Sequence, residues 1–133
     1  MQGKYILLLL TIGSLFSLIV VGAYVAAAGF GDACGSDIPS GWPGCRGGLL
    51  PPPQLAPVVE YLHRLLAALS AIFLFLTTAL FWRGGTSAGP AKRILIAASI
   101  LLVGQIFLGG AVIVQQQEAV LVTVHQAIAI TIF

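Results

Sequence analysis

The chain has 133 residues, 59% of them hydrophobic, with six Lys and Arg against four Asp and Glu and a mean hydropathy of +1.05. With only 8% charged residues against the roughly 25% of an ordinary soluble domain, this composition excludes such a domain and indicates an integral membrane protein. A formal net charge of +2, with no basic tract and no acidic tail, argues against a nucleic-acid partner.

After Lys4, residues 5–28 are almost uninterrupted apolar and suffice to cross a hydrocarbon core, which takes about 20 helical residues. Ala26-Ala27-Ala28 resembles the small-residue end of a signal peptide, but the run exceeds the roughly 7–15 residues of a signal core. Gly22 and Ala26, four residues apart, would let a neighbouring helix approach closely. Residues 30–57 then turn to Gly, Pro, Asp and Ser, with Cys34, Trp42, Cys45 and Pro51-Pro52-Pro53. A loop of this length is a functional lid or a linker, and its cysteines favour a lid. A bridge between Cys34 and Cys45 would close about a dozen residues, contribute about 3 kcal/mol by chain entropy and require an oxidising compartment. The alternatives are a redox-active pair or free thiols. The spacing is not Cys-x-x-Cys, which disfavours a thioredoxin-like centre, and two thiols are too few for a metal site.

The second helix is expected over residues 58–82, with Pro57 suited to its first turn. Leu62, Leu65, Leu69, Phe73 and Leu76 share one side, whereas Glu60, His63, Arg64, Ala67, Ser70, Ala71 and Thr78 share the other, dividing a lipid face from a bundle face. Residues 83–93 form a turn-rich loop with three of the six basic residues. Together with Lys4 they place both termini in the cytoplasm and the cysteine loop outside. A third helix over 94–114 contains Gln105 and Gly109, suited to tight packing or to reaching a buried polar ligand. Gln115 to Glu118 form a short turn into a fourth helix over 119–133, thin for a complete span. The fold class expected is therefore all-α, one four-transmembrane-helix bundle over 1–133 with a long outer loop between its first two helices.

The chain's two histidines, His63 and His125, lie about five and six residues inside the outer ends of helices that run in the same direction. At about 1.5 Å per residue both sit roughly 8–9 Å deep, a placement suited to axial ligation of one haem iron. Two unrelated buried polar residues are the plain alternative, and zinc, which takes three or four ligands, fits less well. Glu60, one turn before His63, would overhang the rim of such a macrocycle, where a carboxylate can take a proton or steady positive charge. Otherwise it forms an i,i+4 ion pair with Arg64. Arg64 suits a haem propionate or snorkels toward the interface.

Glu60-x-x-His63-Arg64, the cysteine loop before it, Gln105-x-x-Leu108-Gly109 and a histidine early in the next helix resemble the haem A synthase family. That family's fold is eight helices in two similar four-helix halves, and this chain is similar to the amino-terminal half. The resemblance implies oxidation of a methyl group of haem O to the formyl group of haem A. It implies His63 and His125 as haem ligands, Glu60 as the catalytic carboxylate, and Cys34 with Cys45 as a disulfide. It further implies membrane lipid, haem O synthase, and either a second copy or a separate half-subunit as partners. Three activities compete: this oxidoreductase, a bis-histidine b-type cytochrome or haem-binding assembly subunit without its own catalysis, and a quinone-linked thiol oxidoreductase.

Overall fold

The computed structural model describes residues 2–36, 44–83 and 89–133. Four helices follow in order, α1 (Gln2–Ala27), α2 (Leu55–Arg83), α3 (Gly89–Val114) and α4 (Ala119–Ile132). Helices satisfy every interior backbone group within one segment, which a hydrocarbon environment demands. The first three are long and apolar enough to cross a membrane. α4, with 14 residues, is about 21 Å long, short of the roughly 30 Å hydrocarbon core. The expected all-α, four-helix membrane architecture is the one found.

Three helices begin earlier than the apolar pattern indicates. α1 starts at Gln2 rather than 5, α2 at Leu55 rather than 58, and α3 at Gly89 rather than 94. The first four N–H groups of a helix have no intrahelical acceptor, so Pro57 and Pro90 fit inside the first turn and do not mark its edge. The outer loop and the expected 83–93 turn are shorter in consequence. Residues 37–43, with Trp42, and residues 84–88 of that turn lie outside the described residues.

The ends of α1 and α3 are closed by local chemistry. At α1, Phe30 N–H donates to Val25 O (2.9 Å) and Gly29 N–H to Ala26 O (3.2 Å), with Gly29 left-handed at φ +66 and the Phe30 ring edge-on to Tyr24 at 5.9 Å. This is a glycine-terminated helix end with its accompanying apolar contact. α3 ends the same way through Gln117 N–H to Val112 O (2.8 Å), but glutamines occupy the left-handed positions, Gln116 at φ +53 and Gln117 at φ +59. The Glu118 carboxylate then caps α4 by accepting from Leu121 N–H at 3.0 Å, satisfying one of its orphan donors.

α1 packs on α2, α2 on α3, α3 on α4, and α4 closes the ring against α1. A buried hydroxyl pair, Thr11 with Thr77 at 2.8 Å, joins α1 to α2. Thr78 and Ser99 at 3.0 Å join α2 to α3, the polar contacts expected where apolar burial gives no drive between helices. Leu15, Leu74, Leu95 and Leu102 form the core, with Ala71, Phe81, Ala98 and Ile132 against it. It fills the middle of the bundle and the end away from the outer loop. Leu62, Leu65, Leu69 and Leu76 face outward while Glu60 and Ser70 are buried, as the expected division of α2 has it. Phe73 of the expected lipid face is half-buried, however, and Leu74 and Thr77, which that division left out, are buried. At the end away from the loop, Lys4 lies over the Tyr5 and Phe81 rings and Lys92 over Trp82, a basic and aromatic belt suited to a membrane–water boundary.

Candidate functional site

Where the leucine core stops, toward the outer loop, the bundle is hollow. A cavity of about 320 Å³ is lined by residues of all four helices and by Gly31 and Gln117 from the two outer connections, a size within the range of small-molecule sites. His63, His125, Glu60, Arg64 and Gln105 all line it. α2 and α4 are diagonal partners in the ring, so their histidines enter the cavity from opposite sides. His63 is eight residues into α2 and His125 six into α4, roughly 12 and 9 Å at the helical rise. The early start of α2 thus replaces the expected count of five for His63, and the two counts differ by two residues, about 3 Å of helical rise.

A glycine on the preceding helix makes room for each ring. A Cβ on Gly22 of α1 would stand 2.7 Å from His63 Cε1, and one on Gly109 of α3 would stand 3.3 Å from His125 Cε1. The close approach expected of Gly22 is therefore to an imidazole. Among the described residues, Nδ1 of each histidine is buried without a well-formed hydrogen bond. Gly22→Ala should force the His63 ring off its rotamer at a cost of about 1 kcal/mol, roughly a fivefold loss of any ligand the ring holds. Gly13→Ala, where a Cβ meets nothing within 4 Å, should leave binding unchanged. Parallel titrations of the two variants check this.

Above the cavity, Glu60 ties the outer loop to α2. It is 2% exposed. Its Oε2 accepts from Cys34 N–H at 2.7 Å, and its Oε1 pairs with an Arg64 Nη2–H. Arg64 Nη1 donates to Gly44 O at 2.9 Å, so the guanidinium lies against the loop and the Glu60 ion pair is formed. Cys34 and Cys45 are joined by a disulfide and both are buried. Cys34 Sγ lies 3.6 Å from Pro57 O, a packing contact because an oxidised sulfur has no proton to donate. Arg46 completes the knot, its N–H donating to Cys34 O (2.9 Å) and its Nε–H to Ala33 O (2.8 Å). A Cβ on Gly31 would fall 2.5 Å from Gln117 Oε1, so the loop and the α3–α4 turn meet over the opening.

All the expected site residues thus come together at one end of the bundle, the histidines and Gln105 in the wall, and Glu60, Arg64 and the disulfide at the rim. Sequence reasoning did not anticipate Gly31 and Gln117, whose contact spans two connections and leaves no local pattern. Among the described residues no group of three His, Cys, Asp or Glu side chains is placed so that it could hold a metal ion. A second hollow of about 430 Å³ lies between α2 and α3, walled mainly by Phe75, Trp82, Ile96 and Ile100 with Arg83 at its edge, and holds no cluster of titratable groups.

A family profile described as cytochrome oxidase assembly protein (COX15-CtaA) matches residues 2–133. Among curated proteins the chain is similar to heme A synthase of Alkalihalophilus pseudofirmus, 32% identical over 106 residues, covering 78% of the chain and 34% of the relative. It is similar to heme A synthase of Bacillus licheniformis, 28% identical over 123 residues, covering 92% and 39%, and of Bacillus cereus, 30% identical over 133 residues, covering 98% and 42%. The chain therefore spans 34–42% of the length of these relatives. No solved structure matches it.

Proposed function

The chain belongs to the cytochrome oxidase assembly protein family, COX15-CtaA, and from that premise we propose that it acts in haem A biosynthesis as an oxidoreductase that converts a methyl group of haem O to a formyl group. The observation that carries the reading is the convergence of His63 and His125 on one cavity from diagonal helices. Several features support a haem as occupant. Each imidazole has a buried Nδ1 without a well-formed hydrogen bond, each has a glycine beside it, and the walls between them are mainly apolar.

Haem O is the substrate in this reading, and its iron would be held by His63 and His125. Overall, R–CH3 + H2O gives R–CHO + 4 H⁺ + 4 e⁻ in two hydroxylations, the electrons leaving to an acceptor outside this chain. The iron when bound supplies the redox chemistry. This chain's residues bind, orient and handle protons. The histidines would hold the iron from opposite walls of the cavity, and the loop knot over Glu60 and Arg64 limits water at the rim. Glu60 accepts two hydrogen bonds of the roughly four its carboxylate can take. It retains capacity to receive a proton released at a nearby methyl carbon.

The membrane orientation proposed has both termini cytoplasmic and the disulfide loop outside, supported by Lys4, Arg83, Lys92 and Arg93 at the end opposite the bridge. Its proposed partners are membrane lipid, haem O synthase as the source of substrate, and a second copy or a separate half-subunit.

The involvement of both Glu60 oxygens in tying down the loop favours a second reading, a b-type cytochrome or assembly subunit that holds haem b between the same histidines. Purified protein given haem O and an electron acceptor, followed by pigment extraction, separates the two. In the first reading Glu60→Gln still binds haem but forms the hydroxylated and formyl products roughly 10²–10⁴-fold more slowly. If the unsubstituted chain binds haem yet forms neither product, the second reading replaces the first.

A further inference from the structure

We propose that Gln105 is the positioning residue for His125. Its amide hydrogens hold the backbone at that residue, and its oxygen takes the proton on Nδ1, so that Nε2 is presented to an iron in the cavity. The proposal rests on the haem-ligation reading above and extends it to a residue that itself holds no haem.

Gln105 is 6% exposed in an otherwise apolar part of α3, where an unsatisfied amide is costly. Half of it is satisfied: Nε2–H donates to the His125 backbone carbonyl at 2.6 Å. That bond fixes which way the amide faces, because the reverse orientation would set its oxygen against another carbonyl oxygen. Oε1 is consequently turned away and, among the described residues, lies buried with no hydrogen-bond partner. It lines the same cavity as the histidines.

The complementary atom belongs to the residue the amide already grips. His125 Nδ1 is also buried without a partner. An imidazole that gives the Nε2 lone pair to a metal keeps its proton on Nδ1, and metal-bound histidines almost always donate that proton to an acceptor. One buried acceptor and one prospective donor therefore stand at the same joint between α3 and α4. Gly109, one turn beyond Gln105 on the same face of α3, leaves space for the ring, since a Cβ there would stand 3.3 Å from Cε1 and 3.9 Å from Nε2. In the proposed arrangement the ring turns within that space until Nδ1 meets Oε1. His63 Nδ1 is likewise buried without a partner, but among the described residues no side-chain amide is bonded to its backbone as Gln105 is to that of His125. Of the two imidazoles, His125 is the one whose orientation depends on a replaceable side chain.

The test uses the purified full chain in detergent, titrated with iron protoporphyrin IX and separately with haem O. Affinity, absorption spectrum and midpoint potential are read for the unsubstituted chain, Gln105→Leu and Gln105→Glu. Gln105→Leu should bind haem about 10–100-fold more weakly, the usual loss for an orienting group behind a metal ligand. Its potential should rise, because a histidine without an acceptor on Nδ1 is a poorer donor to oxidised iron. Gln105→Glu loses the N–H donated to the His125 carbonyl but keeps an acceptor of the same reach and, as a carboxylate, a stronger one. It should therefore lower the potential below that of the unsubstituted chain. An unchanged potential in both variants overturns the proposal even if affinity falls, since a packing role alone moves only affinity. Should Gln105→Leu not fold, the potential of Gln105→Glu decides alone. If the unsubstituted chain gives no bis-histidine spectrum, the ligation reading has failed and takes this one with it. If that spectrum is present and the variants match it in potential, only the role of Gln105 is lost.

Discussion

Replacing either His63 or His125 by alanine is expected to abolish the bis-histidine haem spectrum and to weaken haem binding by at least about 100-fold, more than the loss of an orienting group behind a metal ligand. The geometry requires both rings. They enter one cavity from helices on opposite sides of the ring, and neither has another histidine to replace it, since the chain contains two. The fold should survive, because both side chains are only partly buried and Leu74 and Leu95 of the core do not line the cavity. Haem titration with absorption spectroscopy, alongside helicity of the haem-free variants, checks this. A variant that keeps the low-spin spectrum shows that its missing ring is not a ligand.

Arg64→Met is expected to destabilise the chain by about 3–5 kcal/mol, the usual cost of leaving a buried charge without its partner. The side chains of Arg64 and Glu60 are 12% and 3% exposed, so solvent screens the pair weakly. Losing the guanidinium also frees the Gly44 carbonyl, while Glu60 keeps only the Cys34 amide. The loop should detach first, seen as faster protease cleavage near residues 44–50 before the helices melt. Glu60→Gln combined with Arg64→Met should recover most of the loss, because a neutral pair leaves no uncompensated charge. Denaturant unfolding of the single and double variants measures this coupling. Equal stability of Arg64→Met and the unsubstituted chain would show that the ion pair contributes nothing to holding the loop.

What the sequence made legible follows the range of each interaction. The first three helices were readable because an apolar run of membrane length admits few other folds. The Glu60–Arg64 pair was readable because residues four apart on a helix face one another. Helix starts were misplaced at Pro57 and Pro90, where proline is tolerated in the first turn and gives no boundary. The hydrogen bond from Cys34 N–H to Glu60 joins residues 26 apart, and the Gln105 bond to His125 O joins residues 20 apart. No periodicity encodes either. Gly22 was flagged by its spacing to Ala26, but a small residue announces only a close approach, and the partner proved to be the His63 ring.

The bundle is dense around Leu74 and hollow around the histidines, so its two ends contribute unequally to cohesion. A guest that binds only the folded chain adds stability in proportion to the logarithm of its concentration over its dissociation constant. The hollow end is thus an element whose firmness is set by supply. Protease resistance of the chain should therefore rise with the concentration of haem supplied, if haem is the guest that fills this end.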